Sequence, residues 1–478
     1  MNLGAPVRGL ALSPVDGRYG DRLAPLAEYF SERALTRARV RVEVAHALAL
    51  DSTGIFGTLS EAERALLREA HEGFDQDAYA AVKAIEAEVR HDVKACELYL
   101  KSKTGLARKN RIHFGLTSED VNNLAYGTCF KAFLEEAQLP GLRRLMAALL
   151  SFVKENRAVP FPARTHGQPA SPTTAGKEMA VFLGRLLRAY QALAGTRFFG
   201  KLNGATGNRS AFLAAAPQVD WGAYERRLVG ELGLVPNPAT TQVEDHDAWA
   251  RWFNDVRATN TVVLDLAQDA WLYVSFGFFV QRARAGEVGS STMPHKVNPI
   301  NFENAEGNLQ LSSALLAFLS DKLPRSRMQR DLSDSTVARN VGVAMAHHTL
   351  ALEEILVGLG RVRVDRDACL RELEETPELL AEPIQTILRP VLDEDPYALL
   401  LERTRGRQAS RDDLVALVEG LTVPEEIKAR VRALTVPGYT GDATLIADEI
   451  SRLAEEALSP FGDFQGSSSF EGSRGSRS

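Results

Sequence analysis

Apolar residues in this chain recur every three or four positions over stretches much longer than a strand. Glu178–Leu193 sets Met179, Phe182, Leu183, Leu186, Leu187 and Tyr190 on one stripe, the period of an amphipathic helix with about 3.6 residues per turn. Asp334–Leu359 reads as one long helix through Val337, Val341, Met345, His348, Leu352, Ile355 and Leu359. Leu142, Leu145, Leu149 and Val153 begin another. Alternating strand patterns are scarce. The spacing therefore predicts an all-α fold built on a central bundle of long helices.

A chain of 478 residues exceeds one ordinary core, so more than one domain is expected. Residues 1–114 read as a smaller helical domain opened by the polar turn "SPVDGRYGD". Residues 115–365 form the long-helix bundle, and residues 366–458 a third domain of shorter, charged helices broken by Pro383, Pro390 and Pro396. Residues 459–478, "SPFGDFQGSSSFEGSRGSRS", are too rich in Ser and Gly to bury a core and are expected to be a disordered tail.

The charge balance removes some function classes. With 56 basic and 62 acidic residues the net charge is −6, so a nucleic-acid binder relying on a basic surface is not expected. The most apolar window, "TVVLDLAQDAWLYVSFGFFV", carries Asp265 and Asp269, which speaks for a buried helix rather than a membrane span. Cys96, Cys129 and Cys369 lie far apart, with neither metal spacing nor a pairing framework. The N-terminus lacks a charged start followed by a sustained apolar core, and a cytoplasmic location is expected.

Against that helical background, residues 286–299 read "GEVGSSTMPHKVNP". Gly286 and Gly289 permit close approach of backbone amides to a ligand. Lys296 supplies positive charge, Asn298 a directed amide, and Ser290 a hydroxyl flanked by glycine. Together they could hold a developing oxyanion. A flexible linker would explain the glycines and serines but not the Met, His, Lys and Asn set between prolines.

Other polar stretches stay ambiguous alone. Thr117 followed by Asp120 is a capping-box pattern; with Ser118 it makes either an ordinary N-cap or a carboxylate or phosphate site at a helix start. His166, in "RTHGQPASPTT", is expected in a short loop before a helix capped by Ser171 and Pro172. It is either structural or a proton donor near neutral pH. Ser335 and Arg339 are one turn apart with Arg330 just upstream; the group suits a phosphate or carboxylate, or a solvated face.

The loop "GSSTMPHKVNP" resembles the signature of the fumarase/aspartase superfamily. "SPVDGRYGD", "HDVKA", "TSEDVNNL", "RTHGQPASPTTAGKEMA", "KLNGATGN", "QRDLSDSTVARN" and "LAEPIQTILR" are similar to its bacterial adenylosuccinate lyase branch, from about Ser13 to near Ile450. The resemblance implies three helical domains, with the middle ones of four subunits forming a twenty-helix core in a homotetramer whose active sites each draw residues from three chains. It implies β-elimination of fumarate from a succinylated purine nucleotide without metal or organic cofactor.

In that scheme Ser290 is the base and His166 the acid, assisted by His91 and Lys296. Arg18, Tyr19, Arg330, Ser335 and Arg339 hold the nucleotide, chiefly its phosphate. Thr117 and Ser118 take a succinyl carboxylate, Gln242 and Asn298 complete that pocket, and Arg90 and Asp92 lie nearby. Rival readings are a sister lyase acting on argininosuccinate, aspartate or malate, a silent structural relative, and a phosphate-binding regulator without turnover. Arg330, Ser335, Arg339 and the "GRY" stretch favour a phosphorylated substrate over the first.

Overall fold

A computed structural model of the chain describes residues 10–282, 292–293, 295–404 and 409–459. Short helical turns between Gly20 and Phe30 lead into α1 (Glu32–Ala49), α2 (Glu61–Glu72), α3 (Gln76–Val89), α4 (Asp92–Lys103), α5 (Ser118–Phe133) and α6 (Leu139–Asn156). There follow α7 (Ala175–Ala194), α8 (Trp221–Glu231), α9 (Asp247–Ser275), α10 (Ile300–Lys322), α11 (Ser333–Ala338) and α12 (Val341–Arg361). Further helices complete the described chain up to Leu458. The all-α expectation holds. The strands form three two-stranded pairs among the described residues.

By contacts the chain divides into two compact units, one of residues 1–142, 189–261 and 305–353, the other of residues 143–188, 262–304 and 354–478. In the first, Val40, Val44, Leu67, Val82, Cys96 and Leu100 share a core drawn from α1 to α4. A second nest is aromatic: Phe130 stands 4.9 Å from Trp249 and 5.4 Å from Trp252, ring centre to ring centre. Burying a side chain of this size contributes about 1.5–3 kcal/mol. In the second unit Leu373, Ile384, Leu388, Leu414 and Val431 form one core, and Phe161, Tyr273 and Phe279 another.

Two local expectations are corrected. Ser171 and Pro172 do not start a helix. Pro160–Thr165 (β1) pairs antiparallel with Gln168–Thr174 (β2), and α7 begins at Ala175 with the Thr174 hydroxyl accepting the Lys177 N–H at 3.1 Å. Pro160, Pro162, Pro169 and Pro172 remove the donors a helix would need, and the register slips between Phe161 and Ala163. The single helix over Asp334–Leu359 is likewise two, α11 and α12. Asn340 breaks it: its side-chain amide donates back to the Thr336 carbonyl at 3.3 Å while its own carbonyl accepts from Val343 and Ala344. An Asn offering its amide to nearby backbone competes with the helical ladder.

Cys96, Cys129 and Cys369 are all buried and unpaired. Burial pushes their thiols up, to about 12, 11 and 12 respectively. Such thiols stay protonated and unreactive at neutral pH. No helix of the described residues is long and apolar enough to cross a membrane.

Candidate active site

The first unit carries a polar spine along one face of α1. Arg39, Glu43 and His46 follow at helical spacing and all are buried. The Arg39 guanidinium reaches Asp92 at 2.8 Å and donates from Nε to the Asn122 amide oxygen at 2.9 Å. Asn122 in turn donates to Glu119 at 2.7 Å, and Glu119 pairs with Arg330 at 2.9 Å. Arg330 donates to Gln242 at 3.4 Å, and Arg339 pairs with Asp92 at 3.4 Å.

The ends of this array are residues singled out from the sequence: Asp92, Arg330, Arg339 and Gln242. Its middle, Arg39, Glu119 and Asn122, was not. Burial alone would raise the Asp92 carboxyl, but Arg39, the Val93 N–H and Arg339 outweigh it and hold the group below its ordinary value. Asp92 is therefore an anion at neutral pH and keeps both guanidinium groups in place.

Arg339 also leads outward. Its guanidinium lies 4.0 Å from Glu32 and lines an open cavity of about 430 Å³ together with Val15, Asp16, Gly20 and Ser31. The N-terminal polar turn thus shares a wall with the phosphate-suited arginine. Within that turn the Arg18 guanidinium sits over the Tyr19 ring at 5.9 Å. Ser335 lines a smaller cavity with Arg39, Glu119 and Asn122.

The capping box at Thr117 is present, with the Asp120 carboxylate accepting the Thr117 N–H at 2.8 Å. Asp120 does more than cap. It also accepts N–H groups from Asn203 at 3.0 Å and Gly204 at 3.1 Å, and meets the Lys201 ammonium at 3.0 Å, both side chains being fully buried. The helix start carrying Thr117 and Ser118 is thereby tied to the "KLNGATGN" loop. His91 caps α4: its Nδ1 accepts the Lys94 N–H at 3.2 Å. Arg90, just before it, is exposed and adopts a left-handed backbone conformation, φ 55°.

In the second unit His166 and Gly167 form the two-residue tip between β1 and β2, with φ of 53° and 76°. Positive φ at both positions is the geometry of a tight hairpin turn. It presents the imidazole to solvent at the tip. Arg164 steadies the turn, donating to the Gly167 carbonyl at 3.3 Å and pairing with Glu372. Lys296 is exposed, and its N–H donates to the Met293 carbonyl at 3.1 Å; Asn298 is half-buried. Ser290, Gly286 and Gly289 lie outside the described residues. Among the described residues no grouping of three or more His, Cys, Asp or Glu side chains is arranged to hold a metal ion.

A family model described simply as lyase matches residues 17–311, and one for the adenylosuccinate lyase C-terminal region matches residues 326–440. The adenylosuccinate lyase of Escherichia coli (strain K12) is 43% identical over 459 residues, spanning 92% of this chain and 98% of that protein. The chain belongs to the adenylosuccinate lyase family. The adenylosuccinate lyase of Haemophilus influenzae is 42% identical over 449 residues, with the same shares covered.

Solved structures give the fold independently. A fumarate lyase from Mesorhizobium sp. BNC1 superposes with a TM-score of 0.73 at 18% identity, over 90% of this chain and 97% of its own. A 3-carboxy-cis,cis-muconate lactonizing enzyme from Pseudomonas putida does so with 0.74 at 22%, over 91% and 98%.

Proposed function

We propose that the chain eliminates fumarate from adenylosuccinate, leaving AMP, and from the earlier succinylated carboxamide ribotide of purine biosynthesis. The observation that carries the substrate class is the pair Arg330 and Arg339 flanking α11. Both are steadied by carboxylates, and Arg339 opens on the cavity walled by the N-terminal turn. Guanidinium groups so placed suit a phosphate. Arg18, Tyr19 and Ser335 complete the nucleotide end. Thr117 and Ser118 at their helix start take a succinyl carboxylate, with Gln242, Lys296 and Asn298 around it and Arg90 and Asp92 nearby.

In the mechanism, Ser290 as alkoxide takes the proton from the succinyl carbon beside a carboxylate. The electron pair passes into that carboxylate, whose charge must be strongly stabilised because the C–H is only weakly acidic. The positive charge of Lys296 makes the alkoxide accessible. The pair then returns to form the C=C of fumarate as the C–N bond breaks, and His166 protonates the departing nitrogen, a task suited to a side chain whose ordinary titration lies near neutrality. His91 orients the acid or the substrate. No metal or organic cofactor takes part.

The working form is a cytoplasmic homotetramer of three-domain subunits, domains 1–114, 115–365 and 366–458, with each active site drawing on several chains. Supporting this, Trp271, Leu272, Leu311, Phe318 and Val357 on α9, α10 and α12 are each at least 40% exposed in the single chain. Large apolar side chains left open on long helices are what a second copy would cover. The test offers adenylosuccinate, argininosuccinate, aspartate and malate in turn and follows fumarate by absorbance. Release from adenylosuccinate supports the proposal; release only from one of the others refutes it.

A further inference from the structure

We infer that His113 and Glu43 are positioning residues that set the turn before α5, and through it the orientation of Thr117 and Ser118 toward the succinyl carboxylate. The inference rests on the proposed role of that helix start. The turn, residues 113–117, is fastened residue by residue. His113 holds a left-handed backbone, φ 62°, and its Nδ1 meets the Glu43 carboxylate at 2.6 Å. The next carbonyl, that of Phe114, accepts from His46 Nε2 at 2.9 Å. Gly115, φ 73°, lies so close to the Phe212 ring that a Cβ there would stand 2.4 Å from it. Thr117 closes on Asp120.

Glu43 and His46 lie one turn apart on α1, so a single rigid helix grips two consecutive residues of the turn. The two grips differ in kind. Burial depresses His46 to about 3, so the ring is neutral. The Phe114 oxygen can only accept, which puts the proton on Nε2 and leaves Nδ1 to accept from the Tyr224 hydroxyl at 2.9 Å.

His113 is different. Burial would lower it, but Glu43, then Glu97 and Asp120, raise it above its ordinary value. These charges face it from α1, α4 and α5; Glu97 is itself paired with Lys94 and Lys101, and Asp120 with Lys201. Glu43 has no exposed surface, and its second carboxylate oxygen has no hydrogen-bond partner among the described residues. A carboxylate so enclosed needs the imidazolium; without it the charge stands uncompensated inside the fold.

The test separates the two ends of the substrate. In the full-length enzyme, His113→Gln and Glu43→Gln should each weaken inhibition by fumarate about tenfold while inhibition by AMP stays within about twofold. A merely structural role would weaken both together, and that result overturns the proposal. Should His113→Gln not fold, Glu43→Gln, which keeps a hydrogen-bond acceptor of the same shape, carries the test. Thr117→Ala and Ser118→Ala serve as the reference. If they leave fumarate inhibition unchanged, the proposed role of the helix start fails. If they weaken it while the His113 and Glu43 variants do not, the positioning inference alone fails.

Discussion

Replacing Lys201 with Met tests the polar joint under the proposed succinyl-binding helix start. Lys201 and Asp120 are both without exposed surface and meet at 3.0 Å. Removing one partner of such a pair costs about 3–5 kcal/mol, because the other charge stays buried. The structure tells the two deletions apart. After Lys201→Met, Asp120 keeps the N–H groups of Thr117, Asn203 and Gly204, so a loss near the lower bound, about 3 kcal/mol, is expected.

After Asp120→Asn, the ammonium keeps the Gly204 carbonyl at 2.8 Å, and the new amide must turn a donor toward groups that are themselves donors. That loss should be nearer about 5 kcal/mol. The double variant should lose clearly less than the sum, since the residues act as a pair. Urea denaturation at fixed protein concentration, followed by circular dichroism, measures all three; the concentration is fixed because subunit association adds to apparent stability. A Lys201→Met protein within about 0.5 kcal/mol of the parent would refute the reasoning.

Ser290→Ala and His166→Ala should each lower turnover by several orders of magnitude with the oligomer intact by size exclusion; near-normal turnover in either removes that residue from the chemistry. Arg339→Ala should chiefly raise the KM for adenylosuccinate, and an unchanged KM would end its phosphate role. Asp269→Asn should stabilise the fold at alkaline pH. Burial, with Asp265 and Glu178 nearby, pushes the Asp269 carboxyl up to about 6, so its protonated form favours the fold and stability falls as pH rises through that value. The gain in Tm should shrink as pH is lowered through 6; a constant gain would place the cause elsewhere.

The helical fold was legible because its signal is local and long: one stripe of apolar residues suffices to define α7. The hairpin carrying His166 was not, since β1 and β2 lack an alternating burial pattern and the prolines read as loop. The break at Asn340 was hidden by an apolar stripe that continues across it. Within the site, the capping box at Thr117 was readable because its partners lie within one turn. Arg39, Glu43 and His46 were not. A polar or charged residue on a helix usually marks a solvated face, and the partners of these lie far along the chain, at Asp92, His113 and Phe114. The catalytic assignment of Ser290 came from resemblance, and that residue lies outside the described ones.

The most direct trial of the proposed reaction is to incubate the purified full-length protein with adenylosuccinate and quantify both products. Fumarate and AMP should appear in equal amounts and on the same time course. Binding of adenylosuccinate with no fumarate formed would contradict the account.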